Sequence, residues 1–393
     1  MIRPLHVLIA GAGVAGLEAT LALRALAEER AVIEVVAPDE DFVYRPNSVA
    51  EPFAQGKSNR FPISQLLQLA GAKLTAGTLV SVDLDKHRGR TKEGIQLEWD
   101  VLLLAPGAQP REALPGALTF KGPESVGALA KLIADVEDGR LGSIAFALPT
   151  LAAWPLPLYE LALMTQIRVA DAGAREVELT LVTPESTPLR VFGTKPSDAM
   201  RELLVKRGIN LRLRTTAVSY RTGVLDLIPG PALEVDSVVS LPILEGKLIP
   251  GLEQDGRGFV RTDLYGRVDG RDDLYAAGDV TTFPIKQGGI AAQQADAAAT
   301  SIAALAGAQV EPTPFKPILR GLLLTGLTPR YLRSDLLTDE TEIKAEPLWW
   351  PPAKIVGRYL APFLADHLGV ADNPAPSDAV PVDVELDGSC ASL

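Results

Sequence analysis

The chain has 393 residues, and its 47% apolar and 22% charged side chains are typical of globular proteins, which excludes wholesale disorder and fibrous structure. With 38 Lys and Arg against 49 Asp and Glu, the net charge is −11; the sequence lacks the basic surface that nucleic-acid phosphates require, and we expect no nucleic-acid partner. At roughly 150 residues per domain, the length predicts two or three domains.

The first predicted unit is a strand, a glycine-rich turn, a helix and a second strand. The apolar run Leu5–Ala10 leads directly into the turn Gly11–Gly16, after which a helical pattern continues to about Glu29. The segment Ala31–Ala37 is rich in β-branched residues and stops at Pro38. This order is that of the first βαβ unit of a doubly wound parallel sheet.

The turn carries the G-x-G-x-x-G spacing of dinucleotide-binding proteins. Gly11 allows a tight exit from the strand, Gly13 lets a pyrophosphate approach the backbone, and Gly16 lets the helix pack on the sheet. A glycine-rich turn without a ligand is the alternative, but the preceding strand and following helix favour dinucleotide binding. The acid that holds a ribose in such units is displaced to Asp39, beyond Pro38, and a solvated turn acid is an equal alternative there.

A second copy of the unit is predicted from residue 143 onwards. Ser143–Leu148 is predicted as a strand, a helix follows around Leu158–Ile167, and Val177–Val182 is predicted as the next strand. The uncharged stretch Leu141–Tyr159 is nearly long enough to span a bilayer. Its three prolines break a helix, so we interpret it as a buried strand and a turn.

Later segments complete the predicted fold. Asp100–Ala105, Ser237–Leu241 and Asp273–Ala277 are apolar runs that predict further strands, and an Ala-rich helix is expected from Gln287 to about Ala306. We therefore predict an α/β fold with two Rossmann-like, doubly wound dinucleotide-binding domains, the second inserted in the first, plus a C-terminal extension.

The domain limits follow from this order. The first domain is predicted over residues 1–115 and 255–320, and the second over residues 116–254. A helical extension is predicted over residues 321–370, with a helix over Lys354–Leu368, and a flexible tail over residues 371–393.

Three ordered motifs connect the chain to a known family. They are G-A-G-V-A-G-L-E-A (Gly11–Ala19), D-V-L-L-L-A-P-G-A (Asp100–Ala108) and D-L-Y-A-A-G-D-V (Asp273–Val280). Together they resemble the FAD-dependent pyridine-nucleotide-disulfide-oxidoreductase-like superfamily. The segments Phe42–Pro46 and Phe283–Gly289 strengthen the likeness to its sulfide:quinone oxidoreductase and type II NADH dehydrogenase branch.

The resemblance implies one bound FAD. The glycine turn would hold its pyrophosphate, and Asp279 a ribityl hydroxyl. Lys286 and the following helix would face the pyrimidine end of the flavin, where a cation stabilises the charge of the reduced ring. The expected cofactor-binding residues are Gly11, Gly13, Ala15, Gly16, Asp39, Arg45, Ala105, Pro106, Gly107, Gly278, Asp279, Lys286 and Gln287. The alternatives are a cap or turn acid at Asp279 and a surface charge at Lys286.

The chain departs from the family by lacking redox cysteines. Its single cysteine is Cys390, so disulfide reduction and Cys-based sulfide oxidation by the usual mechanisms are excluded. The three histidines, His6, His87 and His367, are widely spaced, and no metal site is expected.

A second departure concerns the nicotinamide nucleotide. Relatives that bind NAD(P)H open their second unit with G-x-G-x-x-G-x-E; if Glu160 matches that Glu, the glycine positions fall on Ala153, Pro155 and Leu158. Pro155 removes an N–H that a pyrophosphate needs, and Trp154 would cover the nicotinamide. The second domain is thus predicted to be a degenerate NAD(P)-binding-like domain that does not bind NAD(P)H in the usual way.

Two further features carry open alternatives. Glu160, a predicted catalytic residue together with Lys286, is either a proton relay beside the flavin or a surface acid on an amphipathic helix. The segment 349–368 carries an apolar helical stripe. This stripe either contacts a membrane surface and frames a quinone channel, or it packs on the core or at a homodimer interface. Because the segment has few basic residues, packing on the protein is favoured.

These observations support one leading hypothesis, an FAD-dependent oxidoreductase that passes electrons from an unidentified small-molecule donor to a quinone or similar acceptor. The first alternative is an NADH:quinone reductase with an unusual NADH site. The second is a flavin-bound electron carrier without turnover of a small substrate. No signal sequence is visible, so we expect a cytoplasmic location, with peripheral membrane contact as the variant that segment 349–368 allows.

Overall fold

The computed structural model describes residues 3–174 and 176–369. The helices are α1 (Val14–Ala27), α2 (Ile63–Leu69), α3 (Val126–Glu137), α4 (Leu156–Asp171), α5 (Thr194–Lys206), α6 (Gly288–Leu305) and α7 (Leu360–His367). The strands are β1 (Leu5–Ala10), β2 (Ala31–Ala37), β3 (Asp41–Val43), β4 (Arg60–Pro62), β5 (Lys73–Ala76), β6 (Leu79–Asp83), β7 (Arg88–Thr91), β8 (Gln96–Glu98), β9 (Val101–Leu104), β10 (Gln109–Arg111), β11 (Leu118–Thr119), β12 (Ser143–Ala147), β13 (Glu178–Val182), β14 (Asn210–Arg212), β15 (Thr216–Arg221), β16 (Val224–Ile228), β17 (Leu233–Glu234), β18 (Ser237–Ser240), β19 (Ile243–Glu245), β20 (Leu274–Ala276), β21 (Ile318–Leu323), β22 (Arg330–Asp335) and β23 (Thr341–Lys344).

The first layer is a five-stranded parallel sheet in the order β20-β9-β1-β2-β5. Both faces are covered, which explains why β1 and β9 are continuous apolar runs rather than alternating ones. Helices α1, α2 and α6 pack on one face, and the small antiparallel sheet β6-β7-β8 lies on the other. The Ala-rich sequence of α6 allows it to lie close against α1.

The second layer repeats this plan as a parallel sheet in the order β11-β18-β12-β13-β14. Helices α3, α4 and α5 cover one face, and the antiparallel sheet β15-β16-β17 covers the other. Strand β20 joins the first sheet only after the chain has completed the second. The predicted α/β fold with one Rossmann-like unit inserted in another is therefore confirmed, while the exact domain limits stay a prediction.

The predicted strands and helices of both units lie close to the observed ones. The stretch Leu141–Tyr159 contains β12 and the start of α4, with a turn between them. Within residues 3–174 and 176–369, no helix combines the length and the apolarity needed to cross a bilayer.

The predicted helical extension is wrong in two respects. Residues 318–344 form the antiparallel sheet β21-β22-β23 instead of helices. The helix predicted from Lys354 begins only at Leu360. A helix from Lys354 would place Pro362 in its interior, where proline clashes with the preceding turn; starting at Leu360 puts Pro362 in the first turn, where it is tolerated.

The apolar stripe of segment 349–368 packs on the first layer. Ile355, Leu360 and Leu364 are buried in the same core as α1 and α2, and the N–H of Ile355 donates to the hydroxyl of Tyr44 (2.7 Å). This is the core-packing alternative for these three residues. The predicted flexible tail, with Cys390, lies outside the described residues.

Candidate functional site

Three sequence motifs converge at one edge of the first sheet. Gly11 follows β1, Ala105 follows β9 and Gly278 follows β20, and these strands are neighbours in the order β20-β9-β1. The carboxyl ends of adjacent parallel strands therefore bring the three turns together, as in other doubly wound folds.

The close approach of these turns explains two of the glycines. Gly11 has φ +122°, and a Cβ there would lie 2.2 Å from the carbonyl oxygen of Ala105. A Cβ on Gly16 would lie 1.9 Å from the carbonyl oxygen of Gly11. Any larger residue at either position would force the strand end and helix apart.

Gly13 differs from both because nothing lies within 4 Å of where its Cβ would be. It is the N-cap of α1, with φ −82°, and as a glycine it has no side chain that could cap the helix. The free N–H groups of the first helical turn and the open space beside them form a cradle for a phosphate group. Gly13 thus leaves room for a ligand rather than for protein.

Gly278 joins the last motif to the first helix. With φ +83°, it lies so close to α1 that a Cβ would be 3.0 Å from the Cβ of Ala15. Its N–H donates to Oε1 of Gln294 (2.8 Å), which fixes the corner against α6. The next residue, Asp279, is directed by this corner towards the space between the two layers.

A cavity of about 300 Å³ occupies that space. It brings together five of the predicted catalytic and cofactor-binding residues: Arg45, Glu160, Asp279, Lys286 and Gln287. Three further cations in its wall, Lys121, Arg320 and Lys354, were not predicted as site residues.

Asp279 and Lys286 are the central charged pair of the cavity. The carboxylate of Asp279 makes no hydrogen bond with any residue in the described part of the chain. Burial raises the pKa of Asp279, and the charge of Lys286 opposes this shift. Burial lowers the pKa of Lys286 to about 8, and Asp279 opposes that shift in turn. A polar ligand group at Asp279 would relieve the cost of leaving its oxygens unpaired.

Lys286 is held by its own surroundings. Its ammonium donates to the carbonyl oxygen of Thr281 and lies 4.0 Å from the ring centre of Phe259. Gln287 caps α6, since its Oε1 accepts from the N–H of Ile290 (2.9 Å), and its Nε2 donates to the carbonyl oxygen of Arg320 (2.9 Å). Lys286 and the N-terminus of the 18-residue helix α6 therefore meet at one end of the cavity.

Glu160 is buried, and its partner is a residue far along the chain. Nζ of Lys354 lies 2.5 Å from Oε1 of Glu160, and the N–H of Leu324 donates to the same oxygen (2.8 Å). Burial raises the pKa of Glu160 and lowers the pKa of Lys354, while their mutual attraction opposes both shifts. The surface-acid reading of Glu160 is wrong, because α4 is buried on nearly all sides at its start.

The other predicted residues lie around this centre or away from it. Ala105 is buried against Gly11, and Pro106 and Gly107 continue the same turn. Arg45 is more than half exposed and pairs with Glu124 (3.2 Å) at the mouth of the cavity. Asp39 is exposed in the loop after β2, where the structure gives it no hydrogen bond among the described residues.

The start of α4, where relatives hold a nicotinamide nucleotide, is only partly filled by side chains. Leu158 is fully buried, and Pro155 occupies the N-cap. The hydroxyl of Tyr159 donates to Oε2 of Glu185 (2.5 Å), the acid that follows β13. Trp154 packs edge-on against Phe192, with ring centres 5.6 Å apart. A cavity of about 300 Å³ remains beside Trp154, Pro155 and Glu185, and Glu185 is already hydrogen-bonded within the protein.

A further, apolar cavity of about 240 Å³ lies beside the cavity that contains Asp279 and Lys286. Its walls are mainly residues 351–355, helix α7, and the side chains of Tyr44 and Phe61. Lys354 and Leu322 border both of these cavities. Lys354 therefore stands in the wall that the two cavities share, and its partner Glu160 lines the cavity that contains Asp279.

Comparisons with known proteins agree with this geometry. The sequence matches the family described as "Pyridine nucleotide-disulphide oxidoreductase" over residues 5–145 and 159–299. It is 24% identical to apoptosis-inducing factor 3 of Homo sapiens over 306 residues, and 24% identical to that of Mus musculus over 300 residues. Each alignment covers 71% of this chain and 46% of the relative, so the chain spans about half the length of these relatives.

Two solved structures share the fold. The sulfide:quinone oxidoreductase from the hyperthermophilic bacterium Aquifex aeolicus superposes with a TM-score of 0.76 at 17% identity, covering 87% of both chains. The ferredoxin reductase for the CYP199A2 system from Rhodopseudomonas palustris superposes with a TM-score of 0.65 at 19% identity, covering 84% of this chain and 82% of that one.

Proposed function

The chain belongs to the pyridine nucleotide-disulphide oxidoreductase family and is a flavin-dependent oxidoreductase, and on that premise we propose that it binds one FAD and passes electrons to a quinone or similar acceptor without a redox thiol. The observation that carries the proposal is the unpaired carboxylate of Asp279, which faces the same cavity as Lys286 and the N-terminus of α6. When bound, the flavin would supply the two-electron chemistry that none of these side chains can perform.

The residues present fit this cofactor. The open space at Gly13 would take the pyrophosphate at the N-terminus of α1. The carboxylate of Asp279 would accept a hydrogen bond from a ribityl hydroxyl. Gly11, Gly16 and Gly278 would let the strand ends and helices approach closely enough to form this crevice.

Lys286 and α6 would then act on charge. The ammonium and the helix N-terminus would stabilise negative charge at the pyrimidine end of the ring. With a pKa of about 8, Lys286 can also hold or release a proton near neutral pH.

The apolar cavity supports a quinone or similar acceptor. Its walls are mostly apolar, and Lys354 at its border is hydrogen-bonded to Glu160. A quinone takes up two protons on reduction, and the Glu160–Lys354 pair would hold a proton at the wall that the two cavities share. Electron flow to an acceptor in this cavity would need no cysteine.

Rapid-mixing spectroscopy tests the proposal. FAD-loaded protein, reduced with dithionite under anaerobic conditions, is mixed with a short-chain ubiquinone, and the return of flavin absorbance is followed. We expect reoxidation within the mixing experiment, slowed about 10-fold or more by Glu160→Gln and unchanged by Glu178→Gln, an exposed acid at the start of β13.

The same instrument decides between the alternatives. We expect NADH and NADPH to leave the flavin oxidised, because Pro155 lacks the N–H that a pyrophosphate would need at the start of α4, and Glu185 is already hydrogen-bonded to Tyr159. Rapid bleaching by NADH would instead establish an NADH:quinone reductase with an unusual NADH site. Failure of the quinone to reoxidise the reduced protein would favour the electron-carrier alternative.

A further inference from the structure

Arg320 is a cation of the cavity that the cofactor assignment does not use. It lies on β21, and its side chain lines the cavity together with Trp154, Leu156 and Lys354. The next residue, Gly321, packs so closely on the second layer that a Cβ would lie 2.7 Å from Phe192 and 3.2 Å from Leu156. Arg320 therefore belongs to the wall beside the start of α4.

The guanidinium of Arg320 has no hydrogen-bond or ion-pair partner in residues 3–174 and 176–369. The neighbouring cations are engaged: Arg45 with Glu124 (3.2 Å), Lys121 with Glu112 (3.0 Å) and Lys354 with Glu160 (2.5 Å). Lys286 donates to the carbonyl oxygen of Thr281, so among the described residues Arg320 is the one cation of this wall whose side chain makes no hydrogen bond or ion pair.

The sheet β21-β22-β23 raises the free-energy cost of leaving the guanidinium charge of Arg320 unpaired. Arg320 stands directly opposite Arg333 on β22, and Arg333 stands opposite Glu342 on β23. Glu342 lies 4.0 Å from Arg333, so the one carboxylate in the row is beside the inner arginine. Burial and the charge of Arg333 lower the pKa of Arg320 to about 10, partly offset by Asp335, and the guanidinium stays charged at neutral pH. Like charges directly opposite on a sheet are destabilising unless a counter-charge is present.

We propose that Arg320 is the binding residue for the carboxylate of a small organic anion that enters this cavity. A planar guanidinium binds a carboxylate through two parallel hydrogen bonds, and the anion would neutralise the row of arginines. A carboxylate carries one negative charge, so it matches a single unpaired cation better than a doubly charged phosphate does. The apolar lining, including Phe120, Leu156 and Leu241, would take the carbon skeleton. This anion site does not depend on the proposed function.

Calorimetric titration tests the site with benzoate as the probe, benzamide as its neutral analogue and inorganic phosphate as the competing oxyanion. Both flavin-loaded and flavin-free protein are used. We expect benzoate to bind, benzamide and phosphate to bind at least about 10-fold more weakly, and Arg320→Gln to weaken benzoate binding roughly 10- to 100-fold. Arg320→Lys should retain part of the affinity, and Arg221→Gln, which removes an exposed charge at the end of β15, should match the wild type.

Thermal unfolding separates a binding residue from a structural one. Without anion, Arg320→Gln should be at least as stable as the wild type, because an uncompensated charge is removed, and benzoate should raise the melting temperature of the wild type alone. Equal benzoate affinity in Arg320→Gln, or tighter binding of phosphate, would overturn the inference. So would a loss of FAD affinity in Arg320→Gln with benzoate binding intact, since the guanidinium would then serve the cofactor. If the protein fails to bind FAD, the proposed function is contradicted. The benzoate affinities of the wild type and Arg320→Gln can still be compared in that case, so the inference about Arg320 is still tested.

Discussion

Two glycines of the first turn lie two residues apart and are predicted to respond oppositely to the same substitution. Gly11→Ala would place a Cβ 2.2 Å from the carbonyl oxygen of Ala105 at φ +122°, so we expect the free energy of unfolding to fall by about 3 kcal/mol or more. Gly13→Ala meets no protein atom within 4 Å and should change it by less than about 0.5 kcal/mol.

The Gly13→Ala substitution should lower FAD affinity although it leaves stability nearly unchanged. The added methyl group would occupy the space offered to a pyrophosphate, so FAD affinity is expected to fall about 10-fold or more. Urea unfolding of flavin-free protein and FAD titration measure the two effects. A Gly13→Ala variant that binds FAD as tightly as the wild type would contradict the assignment of this turn.

Lys286 predicts a pH dependence of stability. Its pKa is lowered from 10.5 to about 8, so the unfolded chain binds more protons between these values, and stability rises with pH across this window. Relative to Lys286→Met, flavin-free wild-type protein should gain up to about 1.4 kcal/mol per pH unit between pH 8 and 10.5. Urea unfolding at several pH values measures the difference. A flat difference, equal to that of the exposed control Lys57→Met, would show that Lys286 titrates normally.

The site residues that were predicted from sequence are those whose position follows from local motifs. Asp279 and Lys286 lie within one turn and its following helix, so the motif places them. Arg320 and Lys354 were not predicted as site residues because they reach the cavity from the C-terminal sheet and the segment after it. Their partners, or lack of partners, arise only from the tertiary fold, which local spacing does not encode.

The link between α4 and the C-terminal segment depends on one buried ion pair. Removing one partner leaves a buried charge, so Lys354→Met should lower the free energy of unfolding by about 3 kcal/mol. Burial raises the pKa of Glu160 above 4.5, so the loss in this variant should deepen as pH rises above that value. The double variant Glu160→Leu/Lys354→Met should recover most of the stability. Lys131→Met, at a surface pair with Asp135, serves as the control and should cost under about 1 kcal/mol.

Additive losses in that double variant would show that the two side chains do not stabilise each other. Chemical unfolding of the wild type, Glu160→Leu, Lys354→Met and the double variant provides this cycle.

Helix α7 is capped by a side chain from another helix. Both oxygens of Glu18 on α1 accept backbone N–H groups, one from Tyr359 (2.8 Å) and one from Leu360 (2.7 Å). Glu18→Ala should lower the free energy of unfolding by about 2 kcal/mol and raise amide exchange in α7. Glu28→Ala, at an exposed acid just after α1, should do neither. Unchanged exchange in α7 would mean that apolar packing alone holds the helix.

The C-terminal elements were the least predictable part of the fold. In β21 alternate residues are buried, but Arg320 and Gly321 interrupt the apolar pattern from which a strand is predicted. The start of α7 was misplaced because apolar periodicity continues through Lys354–Tyr359, while Pro362 and the cap from Glu18 set the true start. By contrast, β1, β2 and β12 were predictable because each is a mostly apolar run followed by turn residues.

The two layers of the molecule have similar folds, but the carboxyl ends of their parallel sheets differ in structure. The first layer keeps open space at Gly13 and an unpaired acid at Asp279. The second places Pro155 and the Tyr159–Glu185 hydrogen bond in the corresponding region. The proposal of a dinucleotide site in the first layer alone rests on this difference.

Titration of flavin-free protein with FAD tests this account most directly. Absorbance and flavin fluorescence should report one FAD per chain, with the melting temperature rising on binding and the affinity falling about 10-fold or more in Asp279→Ala, which loses the hydrogen bond to the cofactor. Protein that is separated from excess FAD without retaining any, and whose melting temperature is unchanged by FAD, would contradict it.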